Sequence, residues 1–150
     1  MPAEEERLAG SCRCGKTRIE ITALPFMTSA CHCSGCQKMS ASAFSLTAMV
    51  PAEAFRVTAG EPEKGGIRGT QLDHFFCPDC KTWMFTRIDG RDFINVRPTM
   101  FDNATWTEPF IETMTAEKLP WAQTPARYSF EGFPPAEDYQ RLIEEFAAAR

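Results

Sequence analysis

The sequence lacks an excess of basic residues, a long apolar run and an even number of cysteines, and each absence excludes a class of protein. Lysine and arginine total 16 against 20 aspartates and glutamates, so the net charge of −4 disfavours a nucleic-acid-binding surface. No apolar run approaches the roughly 20 residues that a membrane-spanning helix needs. The acidic residues 1–6 also lack the basic and apolar regions of a secretory signal. We therefore expect a cytoplasmic protein that binds neither nucleic acid nor a membrane.

The odd number of cysteines argues against a disulfide-stabilised protein, because an odd number fits a disulfide framework poorly. In a reducing compartment, clustered cysteines are more often metal ligands or redox thiols. The seven cysteines fall in three short clusters with none left over, namely Cys12 and Cys14, then Cys31, Cys33 and Cys36, then Cys77 and Cys80. A Cys-x-x-Cys pair puts two sulfurs about 3.5 to 4 Å apart, which suits a tetrahedral zinc with Zn–S distances near ~2.3 Å. The sequence therefore predicts metal binding.

Spacing alone allows several ways to divide the seven thiols between metal ions. The simplest keeps Cys31, Cys33 and Cys36 on one ion, because this local run reaches three corners of a tetrahedron unaided. The other four cysteines would then form a closed structural site that joins the start of the chain to its middle. We expect two zinc ions per chain, with iron in the four-cysteine site as an alternative.

A three-cysteine zinc would keep one coordination position open, and that position favours sulfur chemistry. Three thiolates make the ion a weak Lewis acid toward water, so hydrolysis is not its natural use. An incoming thiol would lose its proton on binding, and the thiolate would remain nucleophilic. No separate general base stands out, so orientation of the reactants and a lowered thiol pKa would have to supply the catalysis.

The pattern of apolar residues predicts a single, mainly β domain over residues 1–150. Residues 1–10 resemble a loose leader, and the glycine-rich residues 60–69 a loop. One helical turn over residues 34–39 would point its amides back at the sulfurs. We predict strands over residues 17–22, 26–30, 43–50, 55–58, 71–76, 82–87 and 93–97. The last cysteine pair lies between two of these strands, which predicts a zinc-ribbon hairpin.

The end of the chain carries the clearest helix signal. Tyr139, Leu142, Ile143 and Phe146 recur at the spacing of one helix face. Acidic residues precede them and Arg150 follows, as the helix dipole favours. We therefore predict a C-terminal helix.

Three motifs occur together in a specific order and spacing. They are Gly-Ser-Cys-Arg-Cys-Gly at residues 10–15, Cys-His-Cys-Ser-Gly-Cys-Gln-Lys at residues 31–38 and Phe-Cys-Pro-Asp-Cys at residues 76–80. In this combination the sequence resembles the glutathione-dependent formaldehyde-activating enzyme family, which also includes centromere protein V. The resemblance covers the cysteine frame and about two thirds of the chain.

The resemblance implies an Mss4-like fold of small coiled β-sheets with zinc-binding knuckles. It also implies a structural zinc on Cys12, Cys14, Cys77 and Cys80, and a catalytic zinc on Cys31, Cys33 and Cys36. The implied reaction adds glutathione, or a related thiol, to formaldehyde or another small aldehyde, which is a carbon–sulfur lyase reaction in reverse. Lys81 and Ala41 depart from the family pattern, which usually has glycine at both places.

Five other side chains bear on the three-cysteine site. His74 could close it as a fourth ligand, although strand alternation favours another direction for this side chain. His32 lies between two ligands and is expected to point away from the ion, in a hydrogen-bonding or surface role. Arg13, Lys38 and Arg97 are the cations nearest in sequence that could receive the carboxylates of glutathione, although most such residues are solvated surface.

Two other functions fit the same sequence. A zinc-stabilised module that binds a protein partner would have a closed second site or an exposed apolar patch. A redox protein that cycles Cys77 and Cys80 is less favoured, because the βαβ pattern around a thioredoxin-like Cys-x-x-Cys is missing. The enzyme remains the favoured interpretation.

Overall fold

The computed structural model describes residues 7–66 and 71–150, over which the chain forms eleven strands and two α-helices. The strands are β1 (Leu8–Ser11), β2 (Arg18–Ile21), β3 (Met27–Cys31), β4 (Ser45–Pro51), β5 (Phe55–Ala59), β6 (Glu63–Gly65), β7 (Leu72–Phe76), β8 (Trp83–Ile88), β9 (Phe93–Val96), β10 (Ile111–Thr113) and β11 (Tyr128–Ser129). The helices are α1 (Ser34–Ser40) and α2 (Tyr139–Ala149). The predicted mainly β fold with a C-terminal helix is confirmed.

The strands form two sheets of unequal size. The small sheet has the order β1-β2-β5 and is antiparallel. The large sheet has the order β11-β10-β3-β4-β9-β8-β7-β6 and is antiparallel from β3 to β6. At its other edge, β10 runs parallel to both β3 and β11. Strand β3, which leads into α1, therefore lies next to β10, which comes about 80 residues later in the chain.

Two apolar clusters hold these elements together. The larger one includes Ile19 and Ile21 of β2, which alternate with polar neighbours and pack with Val50 and Phe85 of the large sheet. The smaller one includes Leu142 and Phe146 of α2, together with Met27, Phe110 and Ile111. Full burial of a side chain such as Leu142 stabilises the fold by roughly 1.5–3 kcal/mol. No described helix is long and apolar enough to cross a membrane.

The seven predicted strands correspond to β2, β3, β4, β5, β7, β8 and β9. The sequence analysis missed β1, β6, β10 and β11, which are two to four residues long and carry too few alternating positions to be recognised. Two of them correct specific expectations, because β1 lies in the supposed leader and β6 in the supposed loop. Residues 1–6 and 67–69 of those two segments fall outside the described residues.

One close backbone contact explains why β1 contains a glycine, Gly10. A Cβ atom at Gly10 would lie 2.4 Å from the carbonyl oxygen of Met100. Gly10 is paired with Phe101 in an isolated bridge, so the two chain segments approach here as only glycine allows. This contact fixes the strand that leads into the first cysteine pair.

Candidate metal centres

Four thiols from distant parts of the chain meet in one group. The Sγ atoms of Cys12, Cys14, Cys77 and Cys80 all lie within 4.8 Å of one another. The Cys12–Cys14 distance is 3.5 Å and the Cys14–Cys77 distance is 3.8 Å. Four sulfurs about 2.3 Å from a tetrahedral zinc would be about 3.8 Å apart. This four-thiol group can therefore hold a metal ion.

Two similar backbone turns present these thiols. In the first, the Gly15 amide donates to the Cys12 carbonyl at 3.1 Å, and in the second, the Lys81 amide donates to the Cys77 carbonyl at 2.9 Å. Both turns end in a left-handed residue, with φ of 81° at Gly15 and 61° at Lys81. The second turn connects β7 to β8, which are antiparallel, so the predicted hairpin around the last cysteine pair is confirmed.

Hydrogen bonds act differently on the members of the four-thiol group. At Cys14, a bond from the Lys16 backbone is outweighed by burial and by hydrogen bonds from the other three cysteines, which raise the pKa to about 11. The backbone amide of Thr17 donates to Cys12 Sγ at 3.3 Å. The hydroxyl of Thr82 lies 3.1 Å from Cys80 Sγ and lowers the pKa of Cys80 to about 5. Thiolates, rather than thiols, are the metal-ligating form.

The second group consists of the three cysteines that follow β3. The Sγ atoms of Cys31, Cys33 and Cys36 lie within 4.8 Å of one another, and all three residues are half-buried. Cys31 ends β3, Cys33 caps the N-terminus of α1, and Cys36 lies in its first turn. The Cys36 amide donates to Cys33 Sγ at 3.3 Å, which confirms that helical amides point back at the sulfurs. We call this set the three-thiol group.

The three thiols compete for one negative charge. A hydrogen bond from Cys36 lowers the pKa of Cys31 to about 5, and the same bond raises the pKa of Cys36. Burial raises the pKa of Cys33. A second or third thiolate is thus unfavourable unless a nearby cation compensates the charge. This donor set fits a soft divalent cation.

Within residues 7–66 and 71–150, no histidine, aspartate, glutamate or further cysteine completes the three-thiol group. His74 was a candidate fourth ligand. Its Nδ1 atom instead lies 2.8 Å from the Thr86 hydroxyl, and its ring packs edge-on against Trp83. The expectation that strand alternation sends His74 elsewhere is therefore confirmed.

His32 lies between two of these thiols but points away from them into the protein. It is fully buried, and its Nε2 atom lies 2.7 Å from Oε1 of Glu112 in β10. The Ser129 hydroxyl donates to the other carboxylate oxygen at 2.7 Å. The hydrogen-bonding role expected for His32 is confirmed, whereas a surface role is wrong. This pair attaches the cysteine segment to the edge strands of the large sheet.

The sequence analysis did not identify Glu112. Its only signal was a single charged residue next to the apolar Phe110 and Ile111. Burial tends to raise the pKa of this carboxyl group, but hydrogen bonds from Ser129 and His32 outweigh that effect and lower it below its usual value. Glu112 is therefore charged inside the fold.

The three cations considered for substrate binding lie in different places. Arg13 separates two cysteines of the four-thiol group, and its backbone amide faces Thr82. Lys38 is exposed in α1 and lines a surface groove. Arg97 is buried, and its guanidinium carbon lies 4.2 Å from the centre of the Trp83 ring. Only Lys38 and Arg97 therefore remain candidates for the three-thiol group.

The groove along α1 has a volume of about 430 Å³ and borders the helix that carries Cys36. Lys38, Ala41, Leu119 and Trp121 contribute to its lining. The Trp121 side chain is 72% exposed, which leaves its ring available for a ligand. The groove thus offers a cation and an aromatic surface along the helix that carries Cys36, and no cysteine of the described residues lines it.

Comparison with known proteins decides the family. Residues 7–117 match the family model described as glutathione-dependent formaldehyde-activating enzyme. The chain belongs to this family. A Penicillium rubens protein that carries the family's name is 33% identical over 107 residues, which cover 65% of this chain and 55% of the relative. A Phaeosphaeria nodorum protein of the same name is 28% identical over 122 residues, which cover 73% and 63%.

The chain spans only 55% and 63% of the length of these two relatives. A crystal structure of a Rhodobacter sphaeroides protein matches at a TM-score of 0.54 and 21% identity, covering 63% of this chain and 88% of that one. At that identity the match shows the fold alone. The family membership predicted from the three motifs is nevertheless confirmed.

The two departures from the formaldehyde-activating family pattern lie at backbone positions that favour glycine. Lys81 has a φ of 61° and Ala41 a φ of 50°. Side chains with a Cβ atom disfavour this left-handed conformation by roughly 1–2 kcal/mol. Ala41 ends α1 and lines the groove, whereas Lys81 ends the second turn of the four-thiol group. Glycine would therefore remove strain at both places.

Proposed function

We propose that this chain is a zinc-dependent enzyme that adds glutathione, or a related thiol, to formaldehyde or another small aldehyde. The reaction is formally that of a carbon–sulfur lyase in reverse. The observation that carries the proposal is the three-thiol group, whose sulfurs lie within 4.8 Å of one another with no further ligand among the described residues. Membership of the formaldehyde-activating family supports the choice of thiol and aldehyde.

Zinc is our proposed metal for both groups, because every donor is a soft thiolate. Cys12, Cys14, Cys77 and Cys80 would hold a structural ion, since four protein ligands close a zinc site. Cys31, Cys33 and Cys36 would hold a catalytic ion. When bound there, zinc would lower the pKa of a thiol substrate that takes the remaining position.

The chain's own residues would bind and orient the thiol substrate. Lys38, which lines the groove, would pair with a carboxylate of glutathione, and the exposed ring of Trp121 would offer an apolar surface for the peptide. The substrate sulfur would attack the carbonyl carbon, and a carbon–sulfur bond would form as the π electrons move to oxygen. That oxygen would take a proton from water, and the proton that the thiol released to solvent on binding would neutralise the hydroxide left behind. The product is the thiol–aldehyde adduct, with no other group released.

Exchange NMR tests this proposal, because the uncatalysed addition proceeds at a measurable rate. We expect the wild type to accelerate exchange between free glutathione and its formaldehyde adduct. Cys33→Ser should abolish the acceleration and lower the zinc content from two equivalents to one, given the two cysteine groups. Ser34→Ala is the matched control, since Ser34 is exposed and adjacent but belongs to neither group. A wild type that leaves the spontaneous rate unchanged would refute the activity.

A zinc-stabilised protein-binding module is the second candidate. It is favoured by the exposure of two large aromatic side chains, Trp121 at 72% and Phe133 at 67%. Exposed aromatic residues are typical of interface anchors. The module would bind zinc like the enzyme but leave the exchange rate unchanged, so the same NMR experiment separates the two functions.

A further inference from the structure

Arg97 is a buried cation without a carboxylate partner among the described residues. Its side chain is 8% exposed, and it takes part in no ion pair within residues 7–66 and 71–150. Its Nε atom is buried and has no hydrogen-bond partner. Burying an unpaired charge is costly, and native proteins retain such a group where another charge compensates it.

The strand register places Arg97 on the same face of the large sheet as the first cysteine of the three-thiol group. Ala48 of β4 lies opposite Val96 of β9, so the next residue, Arg97, points to the other face. Ser45 of β4 is on that other face, and it lies opposite Cys31 of β3. Arg97 and Cys31 therefore share one face, with β4 between them.

The electrostatics agree with this placement. Burial lowers the pKa of Arg97 to about 10, and the negative charges of Cys36 and Cys31 act against that effect. Ser45 lies on the same face, and its buried hydroxyl, like the Arg97 Nε atom, has no hydrogen-bond partner among the described residues. The anionic groups that Arg97 senses are thus members of the three-thiol group.

The net charge of a metal ion bound by three or four thiolates indicates a role for Arg97. Three thiolates around a divalent cation carry one net negative charge, and a fourth thiolate raises this to two. Such a charge in a half-buried site needs a compensating cation nearby. Arg97 is the one buried lysine or arginine of the described residues. Trp83 holds the guanidinium by stacking, and its own indole nitrogen donates to the Thr86 hydroxyl at 3.3 Å.

We propose that Arg97 is a positioning residue that supplies the counter-charge for an anionic fourth ligand, so that the three-thiol group selects thiolates over neutral ligands. The inference rests on the proposed function, because it assumes that a thiol binds to this group. It adds the residue that determines which ligands the open position accepts. Arg97 acts through charge and need not touch the substrate.

The test uses the full chain loaded with cobalt, whose absorption bands report ligand binding. Dissociation constants are measured for 2-mercaptoethanol, which is anionic when bound, and for imidazole, which stays neutral. We expect Arg97→Met to weaken 2-mercaptoethanol binding by about 10- to 50-fold, because it removes the one buried lysine or arginine charge of the described residues. Imidazole binding should change less than about twofold. Arg97→Lys keeps the charge and should retain most of the thiol affinity.

Each alternative outcome overturns the inference in a recognisable way. Equal weakening for both ligands would mean that Arg97 only supports the local structure. Unchanged thiol binding in Arg97→Met would mean that its charge is irrelevant. If that variant does not fold, Arg97→Gln makes the same comparison with a polar side chain. A wild type that binds imidazole but no thiol would refute the proposed function itself, independently of any Arg97 variant.

Discussion

The two thiol groups differ in how far apart their ligands lie along the chain. The four-thiol group brings together Cys14 and Cys77, which are 63 residues apart, and joins the β1–β2 turn to the β7–β8 hairpin. The three cysteines of the three-thiol group lie within residues 31–36, from the last residue of β3 to the first turn of α1. Closing a long loop restricts the unfolded chain far more than closing a short one. We infer that the four-thiol group stabilises the fold, whereas the three-thiol group can take part in a reaction.

Burial follows the same division. In the four-thiol group, Cys12 and Cys77 are buried in the larger apolar cluster and Cys80 packs against it, whereas Cys14 is exposed. All three cysteines of the other group are half-buried, and none belongs to either apolar cluster. A group that is part of the core cannot lose a ligand without disturbing its neighbours. A group at the surface can exchange one.

The largest expected effect comes from removing one ligand from each group. Cys77→Ser should lower the free energy of unfolding by roughly 3 kcal/mol or more, because a structural metal contributes its binding energy to folding. Cys33→Ser should lower it by less than about 1 kcal/mol, since its group closes no long loop. Denaturant unfolding followed by circular dichroism measures both. Equal losses for the two variants would contradict the division between structure and chemistry.

The division into these two groups was the simplest of several that the cysteine spacing allows, and the structure selects it. Cys31, Cys33 and Cys36 are close enough in sequence to meet without help, which leaves four cysteines for the other group. The strands around Cys77 could be predicted for the same reason, from alternation over a few residues. Local patterns therefore indicated the β fold and favoured this division, whereas the choice among the possible divisions came from the structure.

The surroundings of the three-thiol group could not be predicted, because they depend on pairings between distant segments. Glu112 reaches His32 across 80 residues of sequence, through a strand of only three residues that pairs parallel to β3. Arg97 was a candidate for binding a substrate carboxylate, and its position on the same sheet face as Cys31 follows from the registers of β9 and β3 against β4. Neither the pairing of β10 with β3 nor that of β9 with β4 can be recognised from a single sequence.

A smaller effect is expected from the pair that anchors the three-thiol group. The pKa of Glu112 in the folded protein is below its usual value, so its contribution to stability is present above the unfolded pKa. That contribution is lost as the pH falls through the lower, folded pKa. Glu112→Gln should cost about 1–3 kcal/mol at neutral pH, because it weakens buried hydrogen bonds to a charged group. It should also remove part of the stability loss below about pH 4.5.

Thermal unfolding from pH 3 to pH 7 measures this effect, with Glu145→Gln as a control. Glu145 also has a lowered pKa through its hydrogen bond with Tyr128, but it lies on α2 and contacts neither thiol group. We expect only Glu112→Gln to weaken metal binding at the three-thiol group. If Glu112→Gln instead destabilised the four-thiol group to the same degree, the two groups would not be independent.

The smallest expected effect concerns the left-handed residue that ends α1. Ala41→Gly removes the strain of a Cβ atom at a φ of 50°, although glycine also gives the unfolded chain more freedom. The balance should raise the free energy of unfolding by about 0.5–1 kcal/mol. Ser42→Gly is the matched control, because Ser42 has no positive φ and gains only the entropic penalty. In denaturant unfolding, the free energy of unfolding should therefore rise for Ala41→Gly and fall for Ser42→Gly. A loss of stability in Ala41→Gly would mean that the Ala41 methyl group makes packing contacts in the groove that outweigh its strain.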